Sequence, residues 1–198
     1  MHLLSLVIYL TIWYNYHGDF MRVISGIYKG KKLAGFEVKG TRPTMDRVKE
    51  SLFGMIQNYI NDSTVLDLFA GTGSLGIEAL SNGAKMCYFV DNGELITKFL
   101  RKNTENLKDA IIYVMDYQKA LTYFVTEGIK FDIVFLDPPY HENMLASSLE
   151  LIEKYKLLSE DGIVICEYEN EELPTASPYF SVIKNKNYGD KKIVVYKV

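Results

Sequence analysis

Val65-Leu66-Asp67-Leu68-Phe69-Ala70-Gly71-Thr72-Gly73-Ser74-Leu75-Gly76-Ile77-Glu78-Ala79-Leu80 reads as strand, turn and helix. Val65 to Phe69 is apolar on both pleat faces, as a strand covered from both sides must be. Beyond the turn, Ile77, Leu80 and Ala84 recur at helical spacing. Gly71 and Gly73 let the backbone turn tightly and approach a ligand. Ser74 is placed to cap the following helix, whose first N–H groups then face that ligand. The stretch predicts a site for a small molecule with an anionic group.

Gly71-x-Gly73-x-x-Gly76 taken alone matches the dinucleotide pattern, and it matches a simple tight turn equally well. Asp67 adds information. It puts a carboxylate near the end of an otherwise apolar strand, where burial is costly without a cation or hydrogen-bond donors. A nicotinamide dinucleotide offers it no obvious partner. S-adenosylmethionine carries an ammonium and a sulfonium, so an acidic residue just ahead of the glycines suits that cofactor better.

The pattern continues on both sides. Met86 to Val90 reads as a second buried strand ending in Asp91, 20 residues beyond Gly71, the offset at which an acidic residue meets ribose hydroxyls. Glu94 to Leu107 is helical, Ile111 to Met115 is a strand ending in Asp116, and Tyr117 to Val125 is helical again. Phe131 to Leu136 is a fourth strand, Met144 to Leu158 a helix and Gly162 to Cys166 a fifth strand. Tyr179 to Ile183 and Ile193 to Tyr196 close the chain around Tyr188-Gly189-Asp190. Alternating strands and helices imply a mostly parallel sheet, and the last, helix-free pair implies an antiparallel edge. An aspartate at one strand end is an ordinary turn former or cap; three at carboxyl edges, where doubly wound sheets bind ligands, point to a site.

Ahead of the glycine turn, Arg22 to Leu33 breaks into short apolar runs punctuated by glycine, which suits a small β-hairpin with outward lysines. Arg42-Pro43-Thr44 introduces a helix that either Thr41 or Thr44 is placed to cap. Its stripe of Val48, Leu52, Met55, Ile56 and Tyr59 reads as core packing. Residues 1–20 are different. Within them His2 to Tyr14 is almost wholly apolar, yet too short to span a bilayer comfortably and without a signal peptide's basic start and small-residue cleavage site. The expectation is an extension ahead of a true start at Met21, with residues 21–198 forming one cytoplasmic domain whose hairpin and helix occupy residues 21–60.

A chain of 198 residues that is 48% hydrophobic and 24% charged is an ordinary globular mixture. Cys87 and Cys166 lie in apolar runs and read as small buried hydrophobes, with no disulfide framework and no metal-ligand spacing. The net charge of −3 conceals a division: Arg22 to Lys49 carries +6 and Ser181 onward +4, so the remainder holds −13. Two basic ends on an acidic body read equally as solvated faces or as one electropositive surface for nucleic acid.

Asp137-Pro138-Pro139-Tyr140 follows the fourth strand. Two prolines fix φ at both positions and keep the preceding residue extended, so the Asp137 carboxylate, the Pro138 carbonyl and the Tyr140 ring are held with little freedom. An acceptor pair below an aromatic platform is what an exocyclic amine on a flipped base needs. That amine is a poor nucleophile because its lone pair is delocalised into the ring. Accepting both its hydrogens draws it toward a tetrahedral shape and frees the lone pair to attack a sulfonium methyl, so positioning supplies most of the barrier reduction.

Met21-Arg22-Val23-Ile24-Ser25-Gly26, Arg42-Pro43-Thr44-Met45-Asp46-Arg47-Val48-Lys49-Glu50-Ser51-Leu52-Phe53, Leu66-Asp67-Leu68-Phe69-Ala70-Gly71-Thr72-Gly73 and Asp137-Pro138-Pro139-Tyr140 together resemble the RsmD-type family. These are bacterial methyltransferases that act on the N2 amine of a guanine in 16S ribosomal RNA. The resemblance runs from Met21 to the end and is strongest to Tyr140. It implies a Rossmann-like class I S-adenosylmethionine-dependent α/β fold: a mostly parallel seven-stranded sheet with an antiparallel C-terminal hairpin and a small N-terminal β-hairpin. It also implies a monomer that takes ribosomal RNA, free or in a partly assembled small subunit, and no membrane.

By the same resemblance Asp67, Gly71 and Gly73 hold the methionine end of the cofactor, Asp91 the ribose and Asp116 the adenine, with Phe69 in the same cofactor-binding set. Asp137, Pro138, Pro139 and Tyr140 take the target amine. Lys29, Lys31, Lys32, Arg42 and Arg47 face the RNA. Asp91 stands where a glutamate is common in the family. A DNA adenine-N6 methyltransferase shares Asp-Pro-Pro-Tyr, but such enzymes carry a separate target-recognition region and no stretch here is free to form one.

Overall fold

The computed structural model describes residues 21–35, 42–139, 143–169, 177–189 and 191–198, with the backbone alone for residues 42–45. The expectation for residues 1–20 lies outside the described residues. Among the described residues five helices and seven strands follow in the order α1 (Arg42–Ile60), β1 (Thr64–Asp67), α2 (Ser74–Ser81), β2 (Met86–Asp91), α3 (Glu94–Thr104), β3 (Ala110–Val114), α4 (Tyr117–Thr126), β4 (Phe131–Leu136), α5 (Met144–Tyr155), β5 (Leu158–Tyr168), β6 (Ser181–Tyr188) and β7 (Lys191–Lys197).

One seven-stranded sheet runs in the order β3-β2-β1-β4-β5-β7-β6. Strands β1 to β5 are mutually parallel where they pair, and β7 pairs antiparallel with both β5 and β6. The winding direction reverses between β1 and β4, which makes their carboxyl ends the switch point at which such sheets open a crevice. Pleating divides the core in two. Val65, Phe89, Ile133, Ile163 and Val195 pack with α1, α2 and α3 on one face. Leu66, Val90, Val134, Val164 and Tyr196 pack with α4 and α5 on the other. Strands covered by helices on both faces carry apolar side chains at every central position, which is why β4 buries five of its six residues.

The N-terminal hairpin is minimal. Arg22 and Lys32 form a single antiparallel bridge, flanked by Val23 N–H donating to the Lys31 carbonyl at 3.0 Å and Leu33 N–H to the Met21 carbonyl at 2.8 Å. Two helices stop short of the expected ends. The apolar run through Leu158 continues the helical period, but Lys156 turns left-handed at φ +50°, and Leu158 pairs with Phe131 as the first residue of β5. In α3 the expected end at Leu107 gives way to Thr104, whose hydroxyl donates to the Leu100 carbonyl at 2.8 Å. Cys87 and Cys166 are buried free thiols within strands. Among the described residues no helix is long and apolar enough to cross a membrane.

Candidate active site

The glycine turn forms as its composition dictates. Gly71 and Gly73 take φ of +55° and +86°. A Cβ at Gly73 would lie 2.7 Å from Leu100 Cδ1, so the position excludes larger residues on both backbone and contact grounds. Helix α2 is capped by Gly73 with no side-chain bond, and Ser74 lies within the first turn. The Ser74 hydroxyl accepts from Lys49 Nζ at 3.2 Å, because a cation reaching in from α1 is a stronger partner than a neighbouring amide. The expected serine cap is therefore absent.

Around this turn the strands deliver carboxylates to one face of the sheet. Asp67 ends β1 on the side that carries Val65, and Asp91 ends β2 on the side that carries Phe89. Asp67 is buried and accepts the Gly76 N–H at 2.9 Å. Burial pushes its carboxyl up to about 7, the Gly76 bond working against this and the nearby Asp137 and Asp91 carboxylates adding to it. Asp91 bridges two loops, one oxygen accepting from Gly71 N–H at 2.8 Å and the other from Gly93 N–H at 2.8 Å. Each oxygen retains a lone pair for a hydroxyl donor.

Asp137 follows β4 directly and is half-buried. Burial first, and then the Glu167 carboxylate, push it up to about 7, while Lys191 pulls it back. Pro138 beside it is buried and Pro139 exposed; Tyr140 lies outside the described residues. Asp116 serves as the N-cap of α4, accepting from Gln118 N–H at 2.9 Å and Lys119 N–H at 3.3 Å. The Phe69 ring stands 5.3 Å from that of Tyr117 in the first turn of α4, an aromatic pair beside Asp116. Asp67, Asp91 and Asp137 thus converge at the switch point, with Phe69 and Asp116 reaching the same strand ends from the opposite face.

A family profile described as "Conserved hypothetical protein 95" matches residues 21–197. The ribosomal RNA small subunit methyltransferase D of Haemophilus influenzae is 34% identical over 181 residues, which cover 90% of this chain and 92% of that protein. The chain belongs to the ribosomal RNA small subunit methyltransferase D family. YlbH of Bacillus subtilis is 41% identical over 89% of this chain and 98% of its own. The solved yhhF structure from Escherichia coli superposes with a TM-score of 0.79 at 29% identity, covering 90% of this chain and 98% of that one.

In this member of the methyltransferase D family the basic residues divide. Lys29, Lys32 and Arg47 are exposed, whereas Arg42 opens α1 with its side chain outside the description. Lys31 does not point outward. It is half-buried and donates from Nζ to the Asn103 carbonyl at 2.7 Å, satisfying the carboxyl end of α3, and burial lowers its pKa.

Three residues escape the sequence reading altogether. Asn103 is buried, its Oδ1 accepting from Ala34 N–H at 2.7 Å and its amide donating to the Ala34 and Thr72 carbonyls at 2.9 Å each. Glu78 is wholly buried, accepting from Ile24 N–H at 2.9 Å and Ser25 N–H at 2.7 Å. Lys49 lies 3.0 Å from Glu78 and also donates to the Arg22 carbonyl at 2.6 Å. The N-terminal arm is therefore clamped to the helix that begins at the glycine turn. A charge inside the apolar run Ile77-Glu78-Ala79-Leu80 is the one signal that pointed there.

Proposed function

We propose that this protein transfers a methyl group from S-adenosylmethionine to the exocyclic N2 amine of a guanine in 16S ribosomal RNA. The observation that carries the reading is the placement of Asp67 and Asp137 on either side of the sheet's switch point, one beneath a glycine turn and the other at a Pro-Pro turn. Family membership supports an RNA substrate, and the residues present fit the cofactor. Among the described residues Asp67 is a carboxylate with one hydrogen-bond donor and no cation, Asp91 holds the turn while keeping acceptor capacity for ribose hydroxyls, and the Phe69 side gives an apolar wall for a purine ring.

When bound, S-adenosylmethionine supplies an electrophilic methyl on a sulfonium that takes the bonding electron pair on leaving. Asp137 accepts one hydrogen of the guanine amine and the Pro138 carbonyl the other, so the nitrogen pyramidalises as its bond to the methyl carbon forms. The surplus proton passes to Asp137. A carboxyl raised to about 7 is matched to receive a proton at neutral pH. Tyr140 stacks on the flipped base, and the prolines keep acceptor and platform in register.

The test is to compare small-subunit ribosomal RNA from cells with and without the protein, and to digest RNA methylated in vitro with labelled cofactor. N2-methylguanosine at one position is the expected product. N6-methyladenosine, or label in DNA alone, refutes the reading.

Two further outcomes follow. Raising pH through 7 ionises Asp67, and an anion there attracts the cofactor's ammonium; S-adenosylhomocysteine should bind more tightly from pH 6 to pH 8, releasing a proton as it binds. Calorimetric titration in buffers of different ionisation enthalpy measures both, and Asp67→Asn should flatten the dependence. For RNA, Lys29→Ala should lower the slope of log affinity against log salt by about one unit. Lys31→Ala should leave that slope unchanged, since its ammonium is committed to Asn103. Equal slopes for wild type and Lys29→Ala place the RNA path away from the arm.

A further inference from the structure

The methyl-transfer reading leaves a buried-edge ion pair beside Asp137 without a role. Strands β4 and β5 are parallel with Leu136 paired to Cys166, so Asp137 and Glu167 are the next residues along adjacent strands, about 4.8 Å apart. Glu167 lies opposite Ile193 of β7, and Ile193 packs in the core that faces α1 to α3. Its side chain therefore emerges on the face that carries Asp67. Lys191, two residues before Ile193, shares that face and forms a salt bridge with Glu167 diagonally across the β5–β7 pair. The Lys191 side chain is 39% exposed and that of Glu167 16%, so the pair is accessible from solvent. Influences of both on the Asp137 carboxyl place the three groups in one electrostatic neighbourhood.

Crossing the sheet from β4 through β5 to β7, the groups run acceptor, acceptor, donor. The Watson–Crick edge of guanine runs, in order, N2 amine donor, N1–H donor, O6 acceptor. The two sequences are complementary. Adenine is not: beside its amine it offers an N1 lone pair, which a carboxylate repels.

We propose that Glu167 accepts the N1–H of the target guanine and Lys191 donates to its O6, making this pair the determinant of base choice next to Asp137. The inference rests on the guanine reading above. The two side chains bond each other, and on binding each exchanges part of that bond for the base. Because a site built to hydrogen-bond a group rejects analogues lacking it far more strongly than an apolar pocket does, the pair supplies discrimination that stacking on Tyr140 cannot.

The experiment uses the full chain and a synthetic RNA of the mapped target sequence, with either guanine or 2-aminopurine at the target. 2-Aminopurine keeps the exocyclic amine but lacks O6 and carries an unprotonated N1. Wild type should favour guanine in kcat/KM by about a hundredfold or more. Glu167→Gln, whose amide donates to an unprotonated N1, should cut that preference at least tenfold, with the Kd of S-adenosylhomocysteine unchanged. Lys191→Met, a second variant with an intact carboxylate, should also narrow it. If both variants lose activity equally on the two RNAs, the pair is a structural clasp of the β5–β7 edge and the proposal fails while guanine methylation stands. If wild type makes no N2-methylguanine, both readings fail together.

Discussion

Asp137→Ala is expected to lower the single-turnover rate of methyl transfer by a factor of about a hundred to a thousand while leaving cofactor Kd nearly unchanged. The reason is where its bond is made. Asp137 stands at the end of β4, one strand beyond the carboxylate assigned to the cofactor, and its acceptor strengthens as the amine becomes tetrahedral and acidic. Losing an interaction of that kind, realised mainly in the transition state, costs about 2.7 to 4 kcal/mol. Binding of S-adenosylhomocysteine does not involve the target guanine's amine and should hardly respond. Asp67→Ala should show the opposite division, weakening the cofactor first. Rapid-quench measurement of the rate beside calorimetric Kd separates the two; a wild-type rate for Asp137→Ala, or lost cofactor binding, removes the role assigned to it.

The second large effect concerns stability. Glu78→Ala should lower the free energy of unfolding by about 3 to 5 kcal/mol, the range for deleting one member of a buried ion pair. Glu78 is 0% exposed and serves four donors at once: the Ile24 and Ser25 amides, the Ser25 hydroxyl and Lys49 Nζ. Its removal strands a lysine that is itself buried, along with amides that have turned away from the hairpin ladder to reach it. Urea unfolding measures the loss. Amide exchange at Ile24 and Ser25 should accelerate in the same variant, because these two lose their acceptor. A change under about 1 kcal/mol would mean that water enters and replaces the carboxylate, contrary to the packing. Since Lys49 also touches Ser74 at the start of α2, the variant should loosen the glycine turn as well as the arm.

What the sequence determined by itself was local. Gly71 and Gly73 announce a turn because few other residues accept positive φ there, and both adopt it. The apolar runs from Val65, Met86 and Phe131 announce buried parallel strands because only two helix-covered faces reward such runs, and each forms a strand. Asp67, Asp91 and Asp137 were legible as a candidate site because a carboxylate at the end of such a run needs an exceptional reason. Period alone misled at Leu158, where helix and strand both accept an apolar residue and the partner strand decides.

Tertiary structure decided everything that depends on which distant segments meet. Lys31 and Lys29 look alike in sequence, yet Asn103, 72 residues away, takes one ammonium and not the other. Glu78 acquires partners 53 and 54 residues earlier, and Glu167 acquires Lys191 across a strand pair 24 residues later. Tyr188 bonds Ser51 at 2.6 Å over 137 residues, setting the C-terminal hairpin against α1. Periodicity records which face of an element is buried. It carries no record of what lies opposite, because the free energy that selects a charged group's partner comes from desolvation by chain that is remote in sequence, and that neighbour exists only once the sheet has assembled in the order β3-β2-β1-β4-β5-β7-β6.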